Sequence, residues 1–172
     1  RVCPSLCEKS CVLALHNEAV TTRENECAIA ELSFQAGIIK SNPPKNRTNK
    51  NVAIIGSGPA GLAAADILNR FGHNVVVFEK DNSIGGLLRY GIPDFKLNKR
   101  IIDRRLDILS GEGIIFRTGV NVGDNMDFKE ILEKYDALVL AVGAGQPRNL
   151  DIEGRKLKGI HFAMDYLSQQ NK

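Results

Sequence analysis

Two wholly apolar runs, Val52-Ala53-Ile54-Ile55 and Val75-Val76-Val77-Phe78, flank a helical stretch over residues 62–71. Short apolar runs without alternation predict strands buried on both faces, and a helix between two of them predicts a parallel strand–helix–strand unit. The alternation of elements continues downstream. Ile102, Leu106 and Leu109 share one face of a helix predicted over residues 98–112, with Gly111 and Gly113 at its end. Residues 114–117 predict a short strand. Phe128, Ile131, Leu132 and Tyr135 recur at helical spacing and are expected to pack into the core. Residues 136–142 then predict a buried strand that delivers Gly143-Ala144-Gly145. Upstream, residues 1–39 predict a separate helical segment, in which Cys27, Ala28, Ile29, Ala30, Leu32 and Phe34 form an apolar stretch ending near Gly37. Residues 40–50 carry Pro43, Pro44 and mostly polar side chains, and predict a linker with solvated charges.

The first turn of the α/β region is chemically specific. Gly56-Ser57-Gly58-Pro59-Ala60-Gly61 follows the first strand, and Glu79 closes the second. This GxGxxG with a downstream acid is the sequence form of a dinucleotide-binding unit. Gly56 turns the chain sharply off the strand, Gly58 lets a pyrophosphate approach the backbone, and Gly61 lets the helix lie close to the sheet. The diphosphate is expected on the open amides at the helix start, where the macrodipole contributes about half a positive charge. Glu79 is expected to accept hydrogen bonds from the two ribose hydroxyls of the adenosine half and to repel a 2′-phosphate. The fold class is therefore α/β with a Rossmann-like domain over residues 51–172, preceded by a small helical domain. Gly143-Ala144-Gly145 is not a second fingerprint, because Pro147 and Arg148 follow and no strand with a terminal acid comes after. It predicts a strand-end turn beside the same ligand. The loop between Glu79 and Leu97 contains Gly85, Gly86 and Pro93, lacks clear periodicity, and is long enough to expect a functional role.

Composition narrows the function classes. Of 172 residues, 43% are hydrophobic and 25% charged, as in soluble globular proteins. The net charge of +3 without a basic stripe, and 6% aromatics, give no support to nucleic-acid binding. No apolar run approaches the roughly 18 residues of a membrane span. No Ser/His/Asp set, paired carboxylates or metallohydrolase spacing is present, and the three histidines are scattered. No side chain is assigned as catalytic. The chain starts at Arg1 without a leader pattern, and a missing upstream segment is expected.

All four cysteines, Cys3, Cys7, Cys11 and Cys27, lie near the start. Such clustering argues for a reducing, cytoplasmic compartment over a disulfide framework. Cys3, Cys7 and Cys11 form Cys-x3-Cys-x3-Cys with Pro4 after the first, a pattern compatible with iron–sulfur ligation. Buried thiols on one helix face, or zinc, are the alternatives, although the spacing suits zinc poorly and only His16 lies near. Three thiolates do not complete a four-thiolate cluster, so Cys27, Glu26 or upstream residues must supply the rest.

Several segments carry a resemblance that spans nearly the whole chain. They are Val2-Cys3-Pro4, Cys7-Glu8, Cys11-Val12-Leu13, Ala19-Val20-Thr21, Glu26, the Gly56 fingerprint, the segment from Gly85 through Pro93, Phe95-Lys96-Leu97, Asp103-Arg104-Arg105 and Gly159-Ile160-His161-Phe162-Ala163-Met164. Together they resemble the small (β) subunit of NADPH-dependent glutamate synthase, whose plan is shared by related ferredoxin-linked reductase modules. The resemblance implies a helical [4Fe-4S] domain, here its C-terminal part over residues 1–39, then an FAD domain interrupted by an NADPH domain. It implies hydride transfer from NADPH to FAD, and electrons passing through [4Fe-4S] clusters to a large subunit that makes L-glutamate.

Residue by residue, the resemblance implies FAD contacts at Gly56, Gly58, Pro59, Ala60, Gly61, Glu79, Lys80, Gly86, Leu87, Leu88 and Gly143. It implies metal ligation by Cys3, Cys7 and Cys11, with Glu26 where some relatives place a non-cysteine ligand. Arg89 is either a flavin or phosphate neighbour or a plain surface arginine. Two features depart from the family pattern. An upstream cysteine group and a second GxGxxG/A are both absent, so the NADPH site lies outside this chain, which alone is expected to bind FAD weakly and not to oxidise NADPH. Another ferredoxin-linked NAD(P)H reductase module, or a non-catalytic nucleotide-binding or assembly fragment, are the alternative functions.

Overall fold

The computed structural model describes residues 1–171, which divide into two compact units, Arg1–Ser41 and a second beginning at Asn42. The first unit holds helix α1 (Leu6–Lys9), a 3-10 turn (Val12–Leu15) and helix α2 (Thr22–Gln35). The Thr21 side chain does not cap α2. Instead the Glu8 carboxylate accepts the Arg23 amide at 2.8 Å, supplying the acceptor that a helix start requires. No apolar side chain of this unit is buried among the described residues, and Ile29 and Leu32 of the predicted apolar stretch are 65% and 63% exposed.

The second unit is the expected α/β layer. Strands β1 (Asn51–Ile55), β2 (Asn74–Phe78), β3 (Ile115–Arg117) and β4 (Ala137–Leu140) form one sheet in the order β3-β2-β1-β4, all pairs parallel. Val52 pairs with Val75 and with Ala137, so the two apolar runs lie side by side at its centre. Helices α3 (Pro59–Arg70), α4 (Leu87–Tyr90), α5 (Lys99–Gly111), α6 (Phe128–Lys134) and α7 (Ala163–Gln170) complete it.

Strand pleating divides the core into two layers. Ile54, Val75 and Val77 face Ala65 of α3 and Leu109 of α5, with Ile114 beside them. Ala53, Val76 and Phe78 face Ile131 of α6 on the other side, and Tyr135 meets Phe78 edge-on at 5.9 Å between ring centroids. Each such buried aliphatic side chain contributes about 1.5–3 kcal/mol. The expectation for α6 is only half met: Ile131 is buried and Tyr135 half-buried, whereas Phe128 and Leu132 are exposed. A helix lying on one sheet face buries one stripe, and these two residues fall outside it.

The segment read as a linker joins this unit from Asn42 onward, and Arg47 is not simply solvated. Its guanidinium donates to Asn69 Oδ1 at 2.7 Å, to the His73 carbonyl at 2.8 Å and to the Glu112 carbonyl at 2.8 Å. At the start of β1, the Asp136 carboxylate accepts the Asn51 amide and the Lys50 ammonium, each at 2.8 Å. The amide first, then Lys50, hold the carboxyl below its usual range. A carboxyl depressed on folding contributes stability above its unfolded value, and that contribution is lost as pH falls below about 4. Asp136→Asn is therefore expected to flatten part of the acid limb of urea midpoint against pH. An unchanged limb in the variant would count against the assignment.

Candidate functional site

The carboxyl ends of β1, β2 and β4 lie at one edge of the sheet, where the turn 56–61, the segment after Glu79 and the Gly85-Gly86 loop come together. Gly56 leaves β1 at φ +103°, a conformation that favours glycine, while its amide still donates to the Phe78 carbonyl at 2.8 Å. A Cβ on Gly56 would sit 2.3 Å from the Ala141 carbonyl oxygen, and one on Gly61 1.9 Å from the Gly56 carbonyl oxygen. These two glycines therefore serve close packing of α3 on β1 and β4. Gly58 differs: it is the N-cap of α3, and a Cβ there would meet nothing within 4 Å.

Pro59 occupies the first helical position, and the amides of the first turn, those of Ala60 and Gly61 among them, have no intrahelical acceptor. The opposite wall is Gly86, at φ +51°, whose Cβ would lie 2.8 Å from Gly58 Cα. A turn open at Gly58, with unpaired amides and a helix N-terminus behind it, fits the diphosphate of a dinucleotide such as FAD.

Glu79 is 5% exposed, and the chain's own donors surround it. Oε2 accepts the Ser57 amide at 2.9 Å and the Ser57 hydroxyl at 2.5 Å, and Oε1 accepts the Asp81 amide at 3.0 Å. The Ser57 hydroxyl in turn accepts the Gly85 amide at 3.0 Å. Sequence reasoning missed Ser57. A serine between two fingerprint glycines has no distinctive spacing, and its fully buried side chain gives no signal in a polar turn.

The loop beyond is fastened from within. Arg89 donates to the Ile84 carbonyl at 2.7 Å and pairs with Asp103, so its guanidinium is committed to protein groups. Lys99, also missed, donates to the carbonyls of Ile92, Leu88 and Leu97. Burial holds its ammonium below the usual value, Asp94 opposing the shift and Arg89 adding to it. Leu87 is exposed and Leu88 half-buried in α4, and Lys80 is exposed just after Glu79. Gly143, at φ +69° and exposed, follows β4 as the expected strand-end turn.

The cysteines are not brought together in the same way. Cys3 and Cys7 are exposed, Cys11 and Cys27 half-buried, and Glu26 is exposed on α2. Among the described residues no three His, Cys, Asp or Glu side chains are placed to hold a metal ion. The Cys11 thiol lies below its ordinary value because backbone amides, Val20 first and then Leu13, hydrogen-bond to it. Cys3, Cys7, Cys11 and Glu26 thus do not form a cluster site by themselves, and no chemistry is derived through one. Among the described residues no helix is long and apolar enough to cross a membrane.

Strand order and the glycine turn after β1 define an α/β protein of the Rossmann-like class. Residues 50–172 match the family model described as pyridine nucleotide-disulphide oxidoreductase, and the chain belongs to that family. Across its whole length it is 49% identical to the glutamate synthase [NADPH] small chain of Mycobacterium tuberculosis and 50% identical to that of Bacillus subtilis. It spans 35% of the length of each of these relatives. The glutamate synthase [NADH] of Saccharomyces cerevisiae is 48% identical over the same residues, which make up 8% of that protein.

Among solved structures, FprA, an oxidoreductase of Mycobacterium tuberculosis, matches at 31% identity with a TM-score of 0.62, covering 70% of this chain and 28% of FprA. FprA has also been solved in complex with NADPH. A 2-naphthoyl-CoA reductase matches at 29% identity and a TM-score of 0.55, over 76% of this chain and 19% of that one. The resemblance drawn from sequence motifs and the Rossmann-like α/β class both stand.

Proposed function

We propose that this chain is the FAD-seating part of a glutamate synthase small subunit, an NADPH-dependent oxidoreductase that passes electrons toward a large subunit for L-glutamate synthesis. The observation that carries this reading is the cradle over Gly58, the one fingerprint glycine whose missing Cβ serves open space and not packing. The amides of Ala60 and Gly61 hold the diphosphate there, and Glu79 holds the adjoining sugar. Gly86, Leu87 and Leu88 wall the crevice on the loop side, with Lys80 and Gly143 at its margins. Bound FAD supplies the hydride- and electron-carrying chemistry; the protein supplies position and electrostatics. NADPH is the donor, bound outside these residues. The NADPH-named small-chain relatives and the NADPH complex of FprA support NADPH as the donor.

Titration with FAD, followed by quenching of flavin fluorescence, tests the seating. Saturable uptake is expected, competed by ADP, which carries the same diphosphate and ribose. Flavin that remains free at every protein concentration would refute it.

Cys3, Cys7, Cys11 and Glu26 are proposed as part of a [4Fe-4S] ligand set, completed by groups other than the described residues. A second reading, a nucleotide-binding assembly fragment without a cluster, is favoured by the failure of these side chains to converge. Anaerobic reconstitution and iron analysis separate the two. On the cluster reading, the chain alone is expected to hold iron well below one four-iron cluster per molecule, and the complete natural protein to hold it in full. Iron-free complete protein would leave only the second reading.

A further inference from the structure

We infer that Ser57 is a positioning residue that sets how Glu79 meets the sugar of the bound dinucleotide, and that Glu79 takes a single ribose hydroxyl. The inference rests on the seating of FAD proposed above. A carboxylate offers about four acceptor positions on its two oxygens. Three are already filled by the protein, two on Oε2 by the amide and hydroxyl of Ser57 and one on Oε1 by the Asp81 amide. One position on Oε1 is left. A carboxylate in this state has room for one donor from a ligand, where the spacing of fingerprint and acid predicts a grip on both sugar hydroxyls.

The Ser57 hydroxyl is the part of this arrangement that could be absent without changing the fingerprint. Its side chain is fully buried, and it has two partners: it donates to Glu79 Oε2 and accepts from the Gly85 amide. The one hydroxyl therefore ties the turn after β1, the acid after β2 and the loop that forms the far wall of the crevice. With the hydroxyl removed, Oε2 loses a donor and the Gly85 amide loses its acceptor. The carboxylate then gains freedom to rotate, and its orientation toward the sugar is no longer fixed by the protein. Hydrogen bonds to charged groups are worth enough that fixing one of them is visible in affinity.

The test compares FAD with two analogues, one lacking the 2′-hydroxyl and one lacking the 3′-hydroxyl of the adenosine ribose, on the complete natural protein carrying these residues. The unaltered protein is expected to bind one analogue about tenfold more weakly than FAD and the other within about twofold. In Ser57→Ala the larger ratio is expected to shrink to about twofold, as it should in Glu79→Gln. Ser57→Thr, which keeps a hydroxyl, should restore it. Circular dichroism establishes that each variant is folded, and Ser57→Gly replaces the alanine variant if that one is not.

A Ser57→Ala or Ser57→Gly protein that loses FAD affinity but keeps the full ratio would show that the serine is merely structural. An unaltered protein that does not distinguish the two analogues would show that Glu79 does not take a single hydroxyl. Either result overturns the inference while leaving FAD seating intact. Absence of FAD binding by the unaltered protein would instead remove the seating itself.

Discussion

Gly58→Ala is expected to keep the fold and lose the flavin. Gly58 sits at φ −65° and ψ 179°, extended backbone open to any residue, and its added Cβ would meet no protein atom within 4 Å. The folded state is therefore not strained, and the change from glycine to alanine at an N-cap costs at most about 1 kcal/mol. On the proposed seating this space is where the diphosphate approaches the amides, so the methyl group takes the ligand's place. A loss of FAD affinity on the order of a hundredfold is expected, equivalent to about 3 kcal/mol. Urea unfolding and flavin titration on the same preparation check both halves. An alanine variant that binds as well as the parent would disprove the cradle.

Gly61→Ala is expected to do the opposite damage, to the fold first. Its Cβ would stand 1.9 Å from the Gly56 carbonyl oxygen and 3.5 Å from the Ala141 side chain. The first of these is backbone and has nowhere to go, because Gly56 is itself pressed against the Ala141 carbonyl. Relief requires α3 to lift off β1 and β4, opening the layer that holds Ile54, Ala65 and Leu62. A loss of about 3 kcal/mol or more follows, a large part of the 5–15 kcal/mol typical of a domain. The urea midpoint should fall accordingly, and flavin uptake should fail together with the fold. A midpoint within experimental error of the parent would show that the helix is less closely seated than the geometry implies.

The contrast between these two glycines bears on how far the sequence could be read. The parallel unit was legible because residues 52–55 and 75–78 are apolar on both faces, which only a covered sheet satisfies. The helix over residues 98–112 was legible almost to its ends, since Asn98 caps it through the Arg100 amide and Gly113 follows at φ +99°. Short and capless elements were not. Helix α4 spans only Leu87–Tyr90 between glycines, and its apolar residues carry no period that four positions can display. Spacing placed α6 but not its buried face, so Phe128 was expected inside and lies out.

The backbone geometry of the candidate site was legible, and the side-chain contacts within it were not. Glycines announce themselves because so few conformations need them. Ser57, Arg47 and Lys99 are ordinary residues in turns, a polar segment and a helix start, and their roles depend on carbonyls and carboxylates that come close only after folding. The cysteines illustrate the converse. Their regular spacing suggests chemistry, yet spacing along the chain does not bring thiols to a common point.

The clasp made by Arg47 lies at the end of the sheet away from the crevice. It gathers the close of α3 at Asn69, the entry to β2 at His73 and the close of α5 at Glu112, while Thr48 donates to the Gly72 carbonyl beside it. The groups proposed to meet the ligand belong to the other pole, where β1, β2 and β4 finish. Anchorage and recognition are thus spatially divorced in this molecule.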